Sequence, residues 1–133
     1  MAKPTVLVAD DHGLVLARVL SLLQPNFDIV GTASNGRDLL IEAERVQPDI
    51  IVLDITMPIL NGIEAAHELR ERGSAAKLVF LTVHNGSAFV DACFAEGALG
   101  YVTKSRLGVD LVAAVDEALA GHRFISPTVV PNR

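Results

Sequence analysis

Polar side chains suited to phosphate and metal chemistry follow the apolar runs of this sequence. Asp10 and Asp11 come directly after the first run, Asp54 after the third, Thr82 after the fourth and Lys104 after the fifth. If the first and third runs are neighbouring strands, three carboxylates converge, repel one another and raise one another's pKa. A divalent, oxygen-seeking cation such as Mg²⁺ relieves that conflict, and a lysine ammonium suits a phosphate-like anion. The pattern predicts a cation site that can meet a phosphoryl group.

The apolar runs themselves predict the strands that would position these side chains. Several are nearly continuous in Val, Ile and Leu, which is typical of parallel strands buried on both faces. Ligands of such open sheets bind beyond the carboxyl ends of the strands. The predicted strands are Thr5–Ala9, Phe27–Gly31, Asp49–Leu53, Lys77–Leu81 and Gly100–Thr103.

Helical patterns separate the predicted strands. Asn35 precedes Asp38 by three residues and Asn61 precedes Glu64 by three, which is the spacing of a helix N-cap and an acidic first turn. Between them the apolar residues repeat at helical intervals. Helix stops are predicted at Gly73, Gly97 and Gly121. Alternation of this kind predicts five β–α units in an α/β domain with right-handed crossovers.

Length and composition limit the classes of protein that fit. The chain has 133 residues, the length of one domain, and a formal net charge of −5. An acidic domain is poorly suited to binding nucleic acid or an anionic membrane by itself. The longest apolar run, Leu111–Val115, is far too short to cross a bilayer, and the single Cys93 cannot form an internal disulfide. We therefore expect a cytoplasmic domain without membrane contact.

Each candidate residue also has an ordinary structural explanation. An aspartate after a strand commonly caps a turn or helix, and Thr82 fits a β-branched strand residue. Tyr101 fits a core aromatic residue, and Cys93 lies on an apolar helical stripe that predicts a core position. His12 lies beside carboxylates only, so we interpret it as a helix-start or surface residue rather than a metal ligand.

The ordered set of motifs resembles the receiver domain of two-component response regulators. The resemblance covers residues 5–120, nearly the whole chain, and all the key positions occur in order. The matching elements are Asp10-Asp11, Asp54 followed by Met57-Pro58 and Asn61-Gly62, Thr82 after a hydrophobic strand, Tyr101, and Lys104.

The resemblance implies a fold and a phosphoryl-transfer site. The fold is a flavodoxin-like (βα)5 doubly wound sheet of five parallel strands in the order 2-1-3-4-5. Asp54 would accept a phosphoryl group from a sensor histidine kinase. Mg²⁺ would bind directly to Asp11, Asp54 and the backbone carbonyl of Thr56, with Asp10 acting through water. The protein would catalyse only its own phosphorylation and dephosphorylation.

The resemblance also implies how the domain switches. Lys104 would pair with one phosphoryl oxygen, and the Thr82 hydroxyl would bond to another. Tyr101 would then move inward as Thr82 vacates its space, and we expect homodimers to form on phosphorylation.

Two positions depart from the family's pattern, and two others lie where the family varies the lifetime of the phosphate. Ser105 follows Lys104 where many receivers have proline with a cis peptide, and that peptide is costly without proline. Val83 stands where a smaller residue is common and would restrict access to the site. Thr56 and His84 occupy positions that set how long the phosphate survives in this family.

The end of the chain resembles a linker. The segment 121–127 is similar to the junction of NarL/FixJ-type regulators, in which a helix-turn-helix DNA-binding domain follows. We therefore divide the chain into a receiver domain, residues 1–120, and a linker, residues 121–133, toward an absent output domain. DNA would be bound only through that output domain. The chain would be either a truncated piece or a regulator without an output domain.

Three other functions fit parts of the pattern. A flavodoxin-like electron carrier would bind FMN at the same sheet edge, but Asp10 and Asp11 would repel its phosphate. An aspartyl phosphatase would need a second acid two residues after Asp54, where the chain has Thr56. A degenerate, phosphate-independent receiver is the third, although every acceptor-site residue is present.

Overall fold

The chain folds as an alternation of strands and helices, seen in a computed structural model that describes residues 2–127 and 129. Each of the first five strands is followed by a helix, so the predicted α/β alternation is confirmed. No helix among these residues is long and apolar enough to cross a membrane. The elements are β1 (Thr5–Ala9), α1 (Gly13–Leu23), β2 (Asp28–Ala33), α2 (Gly36–Val46), β3 (Ile50–Asp54), α3 (Gly62–Glu71), β4 (Lys77–Thr82), α4 (Ser87–Ala95), β5 (Gly100–Thr103), a 3-10 turn (Lys104–Arg106), α5 (Leu107–Leu119) and β6 (Phe124–Ile125).

The sheet is parallel throughout and has six strands rather than the five that we expected. Its order is β2-β1-β3-β4-β5-β6, so the predicted order 2-1-3-4-5 is extended by one strand. The additional strand comes from the segment that the sequence indicated to be linker. The backbone N–H of Phe124 donates to the carbonyl of Leu99 at 2.8 Å, and that of Ser126 donates to Tyr101 at 2.9 Å. These bonds pair the edge of β5 that would otherwise face solvent.

Two apolar layers cover the sheet. Alternate residues of a strand point to opposite faces, so Leu7 and Ala9 belong to the layer formed with α2, α3 and α4, whereas Val6 and Val8 belong to the layer formed with α1 and α5. Every residue of β3 is buried. Continuous apolar strands thus have helices on both faces, as the sequence predicted.

The predicted helix caps are present. The Asn61 side chain accepts a hydrogen bond from the Glu64 backbone, and the Glu64 side chain accepts one from the Asn61 backbone, which forms a capping box at the start of α3. Asn35 caps α2 through the backbone N–H of Asp38 at 2.8 Å. Both caps fix the loops that lie at the carboxyl edge of the sheet.

Gly62 is required where the loop after β3 folds back on the strand. Its backbone N–H donates to the carbonyl of Ile55 at 2.8 Å. A Cβ atom at this position would collide with the backbone carbonyl of Asp54. The absence of a side chain at residue 62 therefore lets this loop pack directly against the backbone of Asp54 at the end of β3.

Gly62→Ala should lower the free energy of unfolding by about 1–3 kcal/mol, the usual cost of forcing atoms into a packed site. Gly13→Ala is the matched control, because nothing lies within 4 Å of a Cβ at this helical position. The control should change stability by less than about 1 kcal/mol, in the stabilising direction. Urea unfolding of both variants checks this, and equal midpoints would contradict the close-contact explanation.

Candidate functional site

Lys104 connects two buried carboxylates at the carboxyl edge of the sheet. Its Nζ lies 2.9 Å from Oδ2 of Asp54 and 2.9 Å from Oδ2 of Asp10. Asp10 and Asp54 are each almost fully buried, at 1% and 3% exposure. The structure therefore brings together three of the residues that the sequence predicted, from three different strands.

The register of the strands brings these three side chains together. β1 pairs with β3 so that Ala9 lies opposite Leu53, and the next residue of each strand is one of the two carboxylates. The backbone N–H of Asp10 donates to the carbonyl of Ala33 at 3.0 Å, which continues the pairing of β1 with β2. Lys104 begins the 3-10 turn directly after β5. The carboxyl ends of β1, β3 and β5 supply one side chain each.

Burial and neighbouring charges shift the pKa values of Asp54 and Lys104 in opposite directions. Burial raises the pKa of Asp54 above its ordinary value, although the Lys104 ammonium and the Thr56 backbone N–H oppose the rise. Burial by itself would lower the pKa of Lys104, but its hydrogen bonds and charge interactions with Asp54 and Asp10 raise it overall. The lysine is therefore a cation at neutral pH, held against two acids.

The same residues fit a divalent cation. Oδ1 of Asp10 accepts a hydrogen bond from the backbone N–H of His12 at 2.8 Å, whereas the Lys104 ammonium, 2.9 Å away, is the partner of Oδ2. Asp11 lies at the rim with its carboxylate partly exposed. Oxygen atoms of Asp10, Asp11 and Asp54 lie within 4.8 Å of one another. Three carboxylates with a single ammonium among them suit a hard divalent cation.

His12 lies closer to this cluster than the sequence analysis indicated. Its Nδ1 is 3.0 Å from Oδ1 of Asp10, 3.1 Å from Oδ1 of Asp11 and 3.6 Å from Oδ2 of Asp54. The residue is the N-cap of α1, as expected, but its side chain does not cap the helix. Its position directly after Asp10 and Asp11 indicated that it lies near the acidic pair, but that spacing could not predict that its ring turns toward the carboxylates.

A chain of hydrogen bonds connects Thr82 with Tyr101 through the backbone of His84. The Thr82 hydroxyl accepts from the His84 N–H at 3.0 Å, and the Tyr101 hydroxyl donates to the His84 carbonyl at 2.8 Å. Tyr101 is fully buried, and desolvation raises the pKa of its hydroxyl well above the ordinary value. The ring thus already lies inside, in the position that the resemblance assigns to the activated domain.

The His84 side chain contacts Phe89 of α4 and Thr56 of the loop after β3. Its ring stacks on Phe89 with the centroids 4.0 Å apart, and its Nε2 lies 3.3 Å from the Thr56 hydroxyl. This contact joins the two positions that the resemblance associates with phosphate lifetime. Spacing along the chain could not predict this stack, because the loop that leads into α4 separates residues 84 and 89 and has no regular period.

Three further expectations can be compared with the structure. Val83 is 74% exposed, so its side chain points into solvent. The described residues contain no cis peptide, so the Lys104–Ser105 bond is trans. Cys93 is buried in the core as its helical stripe predicted, and burial raises the pKa of the thiol to about 12.

Comparison with known proteins identifies the family. The model of the response regulator receiver domain matches residues 6–116. This chain belongs to that family. NarL, the nitrate/nitrite response regulator of Escherichia coli K12, is 36% identical over 129 residues, which cover 96% of this chain and 60% of NarL. GacA of Pseudomonas aeruginosa is 35% identical over 126 residues, which cover 93% of this chain and 59% of GacA.

A solved structure agrees with the fold as well as the family. A LuxR-family two-component response regulator from Aurantimonas sp. SI85-9A1 superposes with a TM-score of 0.90 at 35% identity, covering 96% of this chain and 93% of that one. Together these relatives place the chain in the NarL/FixJ subfamily of receiver domains, in two-component signalling. The chain spans about 60% of the length of the curated relatives that it matches. The family assignment leaves no support for the electron-carrier and phosphatase alternatives.

Asp54→Asn should stabilise the folded domain at neutral pH in buffer without divalent cations. Because the pKa of Asp54 is raised in the folded state, its ionisation costs stability as the pH rises above the unfolded value of about 3.9. Asparagine cannot ionise, so the gain should shrink as the pH falls toward about 4.

Urea unfolding across this pH range checks the sign, with the exposed Asp91→Asn as the control. A variant that is no more stable than the wild type at neutral pH would show that the Lys104 ion pair outweighs the desolvation of Asp54.

Proposed function

We propose that this receiver domain is a phosphorylation switch whose acceptor is Asp54. The observation that carries the proposal is the buried Asp54 carboxylate, which shares the Lys104 ammonium with a second buried carboxylate, Asp10. A nucleophile, a cation for the phosphoryl oxygens and ligands for a metal ion therefore meet at one sheet edge.

In the proposed reaction, an Asp54 oxygen attacks the phosphorus of a phosphohistidine on the kinase. A P–O bond to Asp54 forms, the P–N bond breaks, and the released imidazole takes up a proton. Dephosphorylation restores the Asp54 carboxylate: water attacks phosphorus, the P–O bond to Asp54 breaks, and inorganic phosphate leaves with the oxygen of that water, whose protons go to the phosphate and to solvent. Both reactions are phosphoryl transfers, in which positioning and charge stabilisation supply most of the catalysis.

The surrounding residues have distinct roles in this proposal. Asp11, Asp54 and the Thr56 carbonyl would hold Mg²⁺ directly, and Asp10 would act through water. When bound, Mg²⁺ supplies positive charge for the phosphoryl oxygens. Lys104 contributes a charge-assisted hydrogen bond to one of those oxygens, and it starts from its present position 2.9 Å from Asp54.

Thr82 and Tyr101 would transmit the change. The Thr82 hydroxyl oxygen now accepts from the His84 N–H, and its O–H would donate to a phosphoryl oxygen. Movement of the Thr82 side chain toward the phosphoryl group would pull on the loop through this bond to His84. The His84 carbonyl also accepts from Tyr101, so a shift of this loop reaches β5 directly. Rearrangement at β4, β5 and α4 would then alter the surface on which homodimers form.

The partners follow from the site and from the relatives. A sensor histidine kinase would dock over Asp54, where apolar side chains are exposed after the carboxyl ends of β1, β3 and β4: Leu14 of α1 at 91%, and Ile59 and Val83 of the following loops at 75% and 74%. The matched relatives are longer than this chain, and NarL is named as a response regulator. We propose that residues 1–120 form the receiver and that residues 121–133 lead to an output domain, which would bind DNA.

Phosphorylation by acetyl phosphate with Mg²⁺ should be lost in Asp54→Asn. The variant keeps the shape of the side chain but removes the nucleophile and one charge of the metal site. Intact-mass measurement of acid-labile phosphate checks the assignment. Asp91→Asn is the control, because this exposed residue lies on α4. Full stoichiometry in Asp54→Asn would assign the phosphate to another residue and sink the proposal.

Thr82→Ala should weaken phosphorylation-induced dimerisation at a matched extent of phosphorylation. Moving a switch from 1% to 99% active takes about 5.5 kcal/mol of differential binding. One charge-assisted hydrogen bond supplies roughly 1.5–3 kcal/mol. Its loss should therefore reduce the ratio of active to inactive domain by about 10–150-fold.

Sedimentation of the phosphorylated variants measures the dimer constant, with Thr32→Ala on the exposed side of β2 as the control. An unchanged constant in Thr82→Ala would remove Thr82 from the switch.

A further inference from the structure

We infer that Ser126 and Asp110 are positioning residues for Lys104, so that the segment after α5 helps to form the phosphoryl site. The inference rests on the proposed function, in which the Lys104 ammonium meets a phosphoryl oxygen. Neither residue is among the site residues that the sequence predicted, and Ser126 lies in the segment that we interpreted as a linker. Both are nearly fully buried, at 1% and 4% exposure.

The Asp110 carboxylate is connected to both ends of the short turn that carries Lys104. Before the lysine, the backbone N–H of Thr103 donates to Oγ of Ser126 at 3.1 Å, and that hydroxyl donates to Oδ2 of Asp110 at 2.8 Å. After the lysine, Arg106 donates through Nε to Oδ2 of Asp110 at 2.7 Å and through Nη2 to Oδ1 at 3.2 Å. The turn is therefore held at the residue before it and at its last residue.

The Ser126 hydroxyl suits this bridge because a hydroxyl can accept one hydrogen bond while it donates another. The backbone N–H of Ser126 also donates to the carbonyl of Tyr101 at 2.9 Å, so its side chain extends the pairing of β5 with β6 by one more bond. Removal of the hydroxyl takes one acceptor from the N–H of Thr103 and one donor from the buried carboxylate of Asp110. Hydrogen bonds to a charged group are the stronger kind, so this loss should loosen the turn.

The position of the turn matters because the Lys104 ammonium lies at the end of a flexible stem. The side chain is only 10% exposed, and Nζ lies 2.9 Å from one oxygen each of Asp10 and Asp54. A functional group must be held within about 0.5 Å of its productive position, and a misplacement of about 1 Å can cost about 100-fold in rate. A lysine on a loosened turn would place its ammonium beside Asp54 less often.

Binding of beryllofluoride, a phosphoryl mimic, tests the inference in the whole chain at saturating Mg²⁺, measured by fluorine NMR. Its dissociation constant should rise by about tenfold in Ser126→Ala, less than the cost of a full 1 Å misplacement. The Mg²⁺ dissociation constant, measured by calorimetry, should be unchanged, because the proposed metal ligands follow β1 and β3. Val46→Ala is the matched control: it removes partly buried apolar atoms in the last turn of α2, before β3 begins, and should leave both constants unchanged.

A double-mutant cycle separates positioning from a merely structural contribution. Lys104→Met removes the ammonium and should weaken beryllofluoride binding by itself. Adding Ser126→Ala to Lys104→Met should cause no further loss, because the hydroxyl acts through the lysine. A further loss as large as in the wild-type background would overturn the inference, and so would wild-type affinity in Ser126→Ala alone.

Asp110→Asn gives a test of sign that does not need the lysine variant. Asp110 lies in the first turn of α5, directly after the turn that carries Lys104. Removing its negative charge would by charge alone tighten the binding of an anion nearby. The inference predicts weaker beryllofluoride binding instead, because Arg106 loses its charged partner. Unchanged or tighter binding in Asp110→Asn contradicts it.

Phosphorylation by acetyl phosphate with Mg²⁺ is measured in the same samples to keep the two proposals apart. If the wild type binds beryllofluoride and is phosphorylated, and Ser126→Ala matches it in both, only the positioning by Ser126 and Asp110 fails. If the wild type neither binds beryllofluoride nor is phosphorylated, the proposed function fails and the inference fails with it.

Discussion

The pairing of one lysine with two buried carboxylates is the constraint on which this domain's functional edge depends. Asp10 and Asp54 cannot both be ionised in a buried site without a counter-charge, and Lys104 supplies it. This arrangement requires β1, β3 and β5 to keep their register, because a slip by one residue would turn a side chain to the opposite face. The apolar layers on both sides of the sheet hold that register. The core is thus what makes the charged cluster possible.

The same ion pair makes the edge responsive to a change of charge. A neutralised or phosphorylated Asp54 alters the partner of an ammonium that is attached to β5. Tyr101 lies on the same strand, and its hydroxyl is bonded to the loop that also holds the Thr82 hydroxyl. A charge change on β3 therefore reaches β5 by two routes, one electrostatic through Lys104 and one through hydrogen bonds at His84. In the proposed switch, both routes act on neighbouring residues.

The sequence predicted the fold better than the local polar geometry. Strand positions follow from burial on both faces, which leaves a continuous apolar pattern, and β1 and β5 were predicted to the residue. Helix starts at Asn35 and Asn61 follow from local backbone hydrogen bonding. β6 was missed because two residues paired to a sheet edge have no period of their own. The rotamer of His12 depends on three carboxylates from two strands, so spacing along the chain could not predict it.

The short strand that the sequence did not predict adds a mechanical constraint to β5. Ser126 accepts from the Thr103 backbone N–H at 3.1 Å and donates to Asp110 at 2.8 Å, in a buried position at the start of α5. The carbonyl of Tyr101 also accepts from the Ser126 backbone N–H. A displacement of β5 must therefore move residues 124–126 with it or break these hydrogen bonds. Because β5 also leads into Lys104, the strand that meets the charged cluster is joined by hydrogen bonds to residues 124–126.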